Sequence, residues 1–200
     1  MLSQDTNREG ESMTEAFSQI KMARSQQIYA TFVNGRVLTK QVYDIYQQQF
    51  LDSPLYTELY NHLEHFTQLY LHIGYTLNFN VEGEFFYISR SDDEEDADVN
   101  ATKIQAMLLI IARYWVDKGY DLDDLATPVI GLGRTALDEI AEQAIYNDIR
   151  QALGIETWDK AISYLADRNF LYQCGDRHYV LSSAGMHFLN RHVDKYSEQQ

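Results

Sequence analysis

The sequence predicts a mainly α-helical chain with small β-hairpins, an α+β protein built from two similar units. Three observations carry this reading. Apolar residues recur at helical spacing through most of the chain, as in LYTELYNHLEHFTQLYLHIG at residues 55–74. Two stretches instead run as short apolar-aromatic strands around a turn: TLNFNVEGEFFYIS at 76–89 and FLYQCGDRHYVLSS at 170–183. Between them lies the acidic run SDDEEDAD at 91–98, so that each half of the chain carries helices followed by one hairpin.

Residues 1–12 are polar, with nothing visible to tie them down, and are expected to form a disordered tail. The first unit then spans 13–90. Its opening helix starts near Met13, places Phe17, Ile20, Ala23, Ile28 and Phe32 near one face, and stops at Gly35. Thr39 is the expected N-cap of a short second helix bearing Val42, Ile45 and Tyr46. Ser53 caps a third, with Pro54 in its first turn, where a missing N–H costs nothing. Leu55, Leu59, Leu63, Phe66 and Tyr70 give that helix its apolar face, and Gly74 ends it. In the hairpin Leu77, Phe79 and Val81 alternate, Gly83 turns, and Phe85 to Ile88 return.

Residues 91–99 are read as a solvated linker, because like charges repel. An EF-hand loop is excluded, since the central Gly and the closing Glu are missing at their required offsets. The second unit spans 100–195. ATKIQAMLLIIARYWVDKGY (101–120) is a strongly apolar helix, expected to be buried on most sides. A helix from Thr135, a helix capped by Thr157, the second hairpin and a closing helix follow. A lone hairpin is marginal in water and must lean on helices. Three helices followed by a two-stranded wing are the order of a winged-helix unit, and the order occurs twice. Tandem winged-helix domains are therefore expected.

Two hundred residues suit one large domain or two of roughly 80–100. No apolar run approaches the roughly 18–20 residues needed to span a bilayer, and the longest, AMLLIIARYWV, is broken by Arg113. The N-terminus lacks the apolar core of a signal peptide, and Cys174 is the single cysteine. A soluble cytoplasmic protein is expected, with no membrane partner. The formal charge is −14. Phosphate binding needs clustered cations, so this balance favours another protein as the main partner.

No catalytic constellation emerges, and no enzyme, cofactor or metal is expected. His62 and His65 are three apart on a helix, but HLEH lacks the spacing that joins two ligands to a general base. GLGRTAL (131–137) lacks the ending of a phosphate loop, so a turn with Thr135 as cap explains it better. A strand-end thiol such as Cys174, with no cationic helix end nearby, is normally inert. No G-x-S-x-G elbow frames a serine.

For DNA readout the third helices are poor candidates: the first carries Glu58 and Glu64, and the second sets Lys160 and Arg168 among Glu156, Asp159 and Asp167. Arg36, Lys40 and His178 add only small patches of charge. Lys160, Arg168 and Arg177 are the expected source of any weak DNA contact. Aromatics tell more. Fifteen Tyr and nine Phe are many for this length, and a strand at 84–88 with aromatics on both faces has more apolar surface than one small unit can bury. The surplus around the first wing marks Tyr56, Tyr60, Phe85 and Tyr87, with the N-terminal helix, as a dimer or partner interface.

IYATFVNGRVLTK (28–40) and SPLYTELYNHLEHFTQLYLHIGYTLNFNVEGEFFYI (53–88), punctuated by Gly35, Gly74 and Gly83, carry a resemblance. The chain resembles the kleisin-interacting tandem winged-helix (KITE) proteins of bacterial condensins, and among them the MksE branch related to MukE, over about residues 25–192. The resemblance implies a homodimer that binds a kleisin subunit and, through it, an SMC-type ATPase. ATP hydrolysis would then belong to the partners. It further implies a nucleoid-associated role in chromosome organisation or in defence against plasmids, with DNA touched weakly or indirectly. The alternative is a stand-alone winged-helix transcription regulator.

Overall fold

The computed structural model describes the backbone of residues 20–90 and 94–197, and the side chains of 20–90 and 99–191. The expected tail at 1–12 and the helix start at Met13 lie outside the described residues. The first half runs α1 (Met22–Val33), β1 (Leu38–Thr39), β2 (Gln41–Asp44), β3 (Gln49–Asp52), α2 (Pro54–Asn61), α3 (Leu63–His72), β4 (Tyr75–Asn80) and β5 (Phe85–Arg90). The second runs α4 (Glu94–Asp117), a 3₁₀ turn (Leu122–Ala126), α5 (Arg134–Glu142), α6 (Ala144–Ala152), α7 (Trp158–Ala166), β6 (Leu171–Gly175), β7 (His178–Leu181) and α8 (Ser183–Ser197).

Both expected hairpins form. β4 and β5 pair antiparallel from Tyr75↔Arg90 to Asn80↔Phe85, and β6 pairs with β7 from Leu171↔Leu181. Each also gains a neighbour that the sequence did not announce. β1 adds to β5, giving the order β1-β5-β4, and Leu132 bridges Tyr179 of β7. Both halves therefore share one order, in which the earliest strand lies beside the last.

Four expectations change. Residues 41–52 form a hairpin rather than a helix: Val42 and Tyr43 pair with Leu51 and Phe50. Val42, Ile45 and Tyr46 have helical spacing, but the Asp44 carboxylate accepts the N–H groups of Tyr46 (2.9 Å) and Gln47 (2.8 Å) and so closes a turn. Thr39 is consequently no cap; it is buried, and its hydroxyl donates to the Gln41 carbonyl at 2.8 Å. The helix from Pro54 breaks at His62 (φ −122°, ψ 35°) into α2 and α3. The acidic segment from Glu94 onward is not linker but the start of α4. Carboxylates are favoured in a first helical turn, which outweighs their mutual repulsion. Gly133, not Thr135, stands at the N-cap of α5. Ser53 and Thr157 do cap, accepting from Tyr56 N–H (3.3 Å) and Lys160 N–H (3.2 Å).

Two hydrophobic cores result. Ile28, Phe32, Leu38, Tyr56, Leu59, Phe66, Tyr70 and Phe86 make the first. The second is built on α4, whose Met107, Leu108, Ile110, Ile111, Tyr114 and Trp115 are buried on most sides, as expected. It also takes Val37 and Phe85 from the first half. Successive strand residues point to opposite faces, so Phe86 enters one core and Phe85 the other.

The two halves meet along this line. The Val37 N–H donates to the Arg168 carbonyl (3.1 Å), and the Asn169 side chain returns a bond to the Val37 carbonyl (2.8 Å). Arg36 Nε donates to the Asp167 carbonyl at 2.8 Å, just past the negative end of α7. The Thr39 and Tyr172 hydroxyls bond each other, and the Tyr172 ring meets Phe50 edge-on at 6.2 Å. Burial pushes the Tyr172 phenol up to about 12, so it stays neutral there. At the hairpin turn, Asn80 accepts from Gly83 N–H (2.7 Å) and donates to His187 Nε2 of α8 (2.9 Å). A Cβ on Gly83 would stand 2.6 Å from the Phe85 ring and 2.9 Å from His187 Cβ, so only glycine lets α8 approach.

Phe85 is 3% exposed and fills a core formed mainly by the other half. Phe85→Ala should cost about 3–5 kcal/mol, the usual range for emptying a buried aromatic site. Urea denaturation checks this; a loss below about 1 kcal/mol would show that the halves do not share a core.

Candidate partner-binding surface

The three cations proposed for DNA are all engaged within the chain. Lys160 pairs with Glu156 one helical turn earlier on the exposed side of α7. Arg177, in the β6–β7 turn, donates to Asp138 of α5 (2.8 Å) and Asp159 of α7 (3.4 Å). Arg168 lies flat on the Tyr164 ring, 3.5 Å from its centroid. Arg177 and Lys160 both lie near the start of α7. Arg168 lies past its other end, eight residues or about 12 Å away along a helix. Two of the three are neutralised by carboxylates and the third stands apart, so they do not form one phosphate-binding patch.

The four aromatics divide. Tyr56 is buried, stacked on Tyr60 (5.9 Å) and packed on Phe86 (5.1 Å). Burial pushes its phenol up to about 12. Phe85 is consumed by the second core, beside His187 at 5.9 Å. Neither can form an interface, because intrachain packing already covers both. Tyr60 and Tyr87 keep 53% and 40% of their surface exposed and remain available.

Other apolar side chains stand outside; the sequence reading marked the N-terminal helix among them but none of the rest. On α1, Met22, Tyr29 and Val33 are exposed at i, i+7 and i+11, one stripe beside the buried Ile28 and Phe32. Tyr46 is 94% exposed at the tip of the β2–β3 hairpin, next to Ile45, and Val129 is 89% exposed beside Ile130. Ile145 and Ile149 share an exposed face of α6. The α1 stripe was legible as spacing. The two loop tips were not, because exposure there is set by turn geometry.

Nothing among the described residues assembles a reaction centre. No group of three or more His, Cys, Asp or Glu stands close enough together to hold a metal ion. His62 and His65 lie at the α2–α3 break, where burial, then the neighbouring His62, holds His65 below the usual imidazole range. The Cys174 thiol faces the Pro128 carbonyl at 3.9 Å, and burial pushes its pKa up, away from the reactive thiolate. No described helix is long and apolar enough to cross a membrane.

The described surface thus combines an acidic balance with scattered exposed apolar side chains, and Lys160 and Arg177 are paired with carboxylates. The chain belongs to the MksE family, because the family model described as condensin complex protein MksE matches residues 23–193. No curated protein matches the chain. A condensin-complex subunit is the role that membership gives it.

Holding α1 in place is an ion pair between the buried Glu58 and a partly exposed Arg24. Glu58 of α2 accepts from Arg24 Nη1 (2.5 Å) and from the Lys21 N–H (3.3 Å). Burial pushes the Glu58 carboxyl up, but these bonds and the Arg24 charge outweigh it and hold the group below the usual carboxylate range. A depressed carboxylate stabilises the fold above its unfolded pKa, near 4.5 here, and that stabilisation is lost as pH falls through the lower folded value. Wild type should therefore exceed Glu58→Gln in urea midpoint near neutrality. The two curves should converge as pH drops below about 4.5, whereas parallel curves would remove the ion pair from the account.

Proposed function

We propose that this chain is the kleisin-binding, non-enzymatic subunit of a bacterial condensin-like SMC–kleisin complex. It acts as a homodimer of tandem winged-helix protomers in chromosome organisation or plasmid defence. The observation that carries the reading is the family match over residues 23–193. Further support comes from the recurring strand order, β1-β5-β4 and Leu132-β7-β6, which is the order of a winged-helix sheet in each half. Exposed apolar side chains on α1 and at Tyr60, Tyr87 and Tyr46 supply contact area for a second copy or a partner.

In this reading the ATPase chemistry sits in the SMC partner, and this chain contributes binding geometry. The α1 stripe with Tyr60 and Tyr87 is the dimer face, a two-fold arrangement being the commonest for soluble oligomers. The protein works in the cytoplasm at the nucleoid, and DNA contact comes mainly through the assembled complex.

Two measurements on the purified chain test this. Light scattering at tens of micromolar (order of magnitude) should give the mass of a dimer, since interfaces of standard size hold there. Binding to random duplex at about 150 mM salt should be weak and nonselective, in the range above roughly 1 μM. A monomer would overturn the dimer. Submicromolar, sequence-selective binding would overturn the subunit reading and favour a transcription regulator.

A further inference from the structure

β4 is the open edge of the three-stranded sheet, and its backbone has a defined polarity. The Lys40 N–H donates to the Glu84 carbonyl (3.0 Å), so residues 84, 86 and 88 turn their backbone groups toward β1. Phe85, Tyr87 and Ser89 then face β4, where Asn80, Asn78 and Thr76 are their partners. By alternation, Tyr75, Leu77 and Phe79 aim their N–H and C=O groups away from the sheet. Among the described residues, none of these groups finds a backbone partner outside the strands. The edge strand itself, among the described residues, carries neither the charges nor the irregularities that usually blunt strand pairing. Residues 75–80, YTLNFN, contain no Pro, Lys or other charge, and the β4–β5 register runs without a bulge.

Charge sets the occupant. Residues 75–98 hold eight carboxylates against one cation, half of the chain's net charge of −14. Glu82 follows one end of β4, while the other end, Tyr75, pairs with Arg90, from which the chain enters the acidic run 92–98. The edge is thus six uncharged residues, with the exposed Glu82 just beyond Asn80 and the Arg90 guanidinium over the Tyr75 ring (5.8 Å) at the other end. A second copy would bring another chain of net charge −14 against it.

We propose that β4 is a docking edge for an extended segment of a partner protein, added as a strand, with an uncharged alternating centre and Lys or Arg at the end that meets Glu82. Main-chain bonds to Leu77 and Phe79 supply affinity, and the terminal cations supply selectivity. The inference rests on the reading of this chain as a partner-binding subunit and names the site and chemistry of that binding.

Three labelled decapeptides test it on the full chain by fluorescence anisotropy and amide hydrogen exchange. The first alternates Thr and Val between pairs of lysines. The second replaces those lysines with glutamates. The third keeps the lysines but alternates Thr with Pro, preserving charge while removing the strand's donors. The first should bind at least about tenfold more tightly than either other, and should slow exchange at the Leu77 and Phe79 amides. Equal binding of the proline peptide, or protection confined to other segments, overturns the docking edge. That failure leaves the subunit reading standing, because only a duplex preference or the absence of partners bears on that reading.

Discussion

Everything in this molecule hangs on the alternation of two adjacent phenylalanines. Phe85 and Phe86 sit side by side on β5, point to opposite faces, and enter different hydrophobic cores. A one-residue slip in the β4–β5 register would withdraw both rings from their sites at once. The strand therefore works as a two-sided anchor. On one side it closes the small core of α1–α3; on the other it presses the hairpin turn onto α8, where Gly83 leaves just enough room. The Val37–Asn169 and Thr39–Tyr172 bonds repeat the joint at a second point, so the halves are held at two places rather than strung on a linker.

That joint decides which surfaces remain free. Tyr56 and Phe85, attractive as interface residues in the sequence, are spent on internal packing. Apolar area survives instead on α1 and at the tip of the β2–β3 hairpin, while β4 leaves an open backbone edge. Electrostatics acts in the same direction. Lys160 and Arg177 are matched to carboxylates, and half of the net charge falls within residues 75–98 of the sequence, a balance that disfavours phosphate.

Much of this was legible beforehand, for physical reasons. The aromatic strands at 76–89 and 170–183, the caps at Ser53 and Thr157 and the buried helix from Ile104 all rest on local chemistry, and all form. The β2–β3 hairpin was hidden because Val42, Ile45 and Tyr46 mimic helical spacing. The deciding interactions are a turn closed by Asp44 and a distant ring, Tyr172, against Phe50. β1 has two residues, too few for any period to register. The fate of Phe85 depends on α8, a hundred residues on, and no local pattern could have assigned it. The pairing of Arg177 with Asp138, 39 positions away, was likewise invisible.

On the proposed reading, this acidic, doubly anchored protein works by holding other proteins. Native mass spectrometry of the assembly purified from its own cells through a tag on this chain tests that claim most directly. The predicted spectrum contains two copies of the chain with a kleisin and an SMC-type ATPase in fixed stoichiometry. A spectrum showing the chain without either partner, at the concentration at which the cells make it, would contradict the claim.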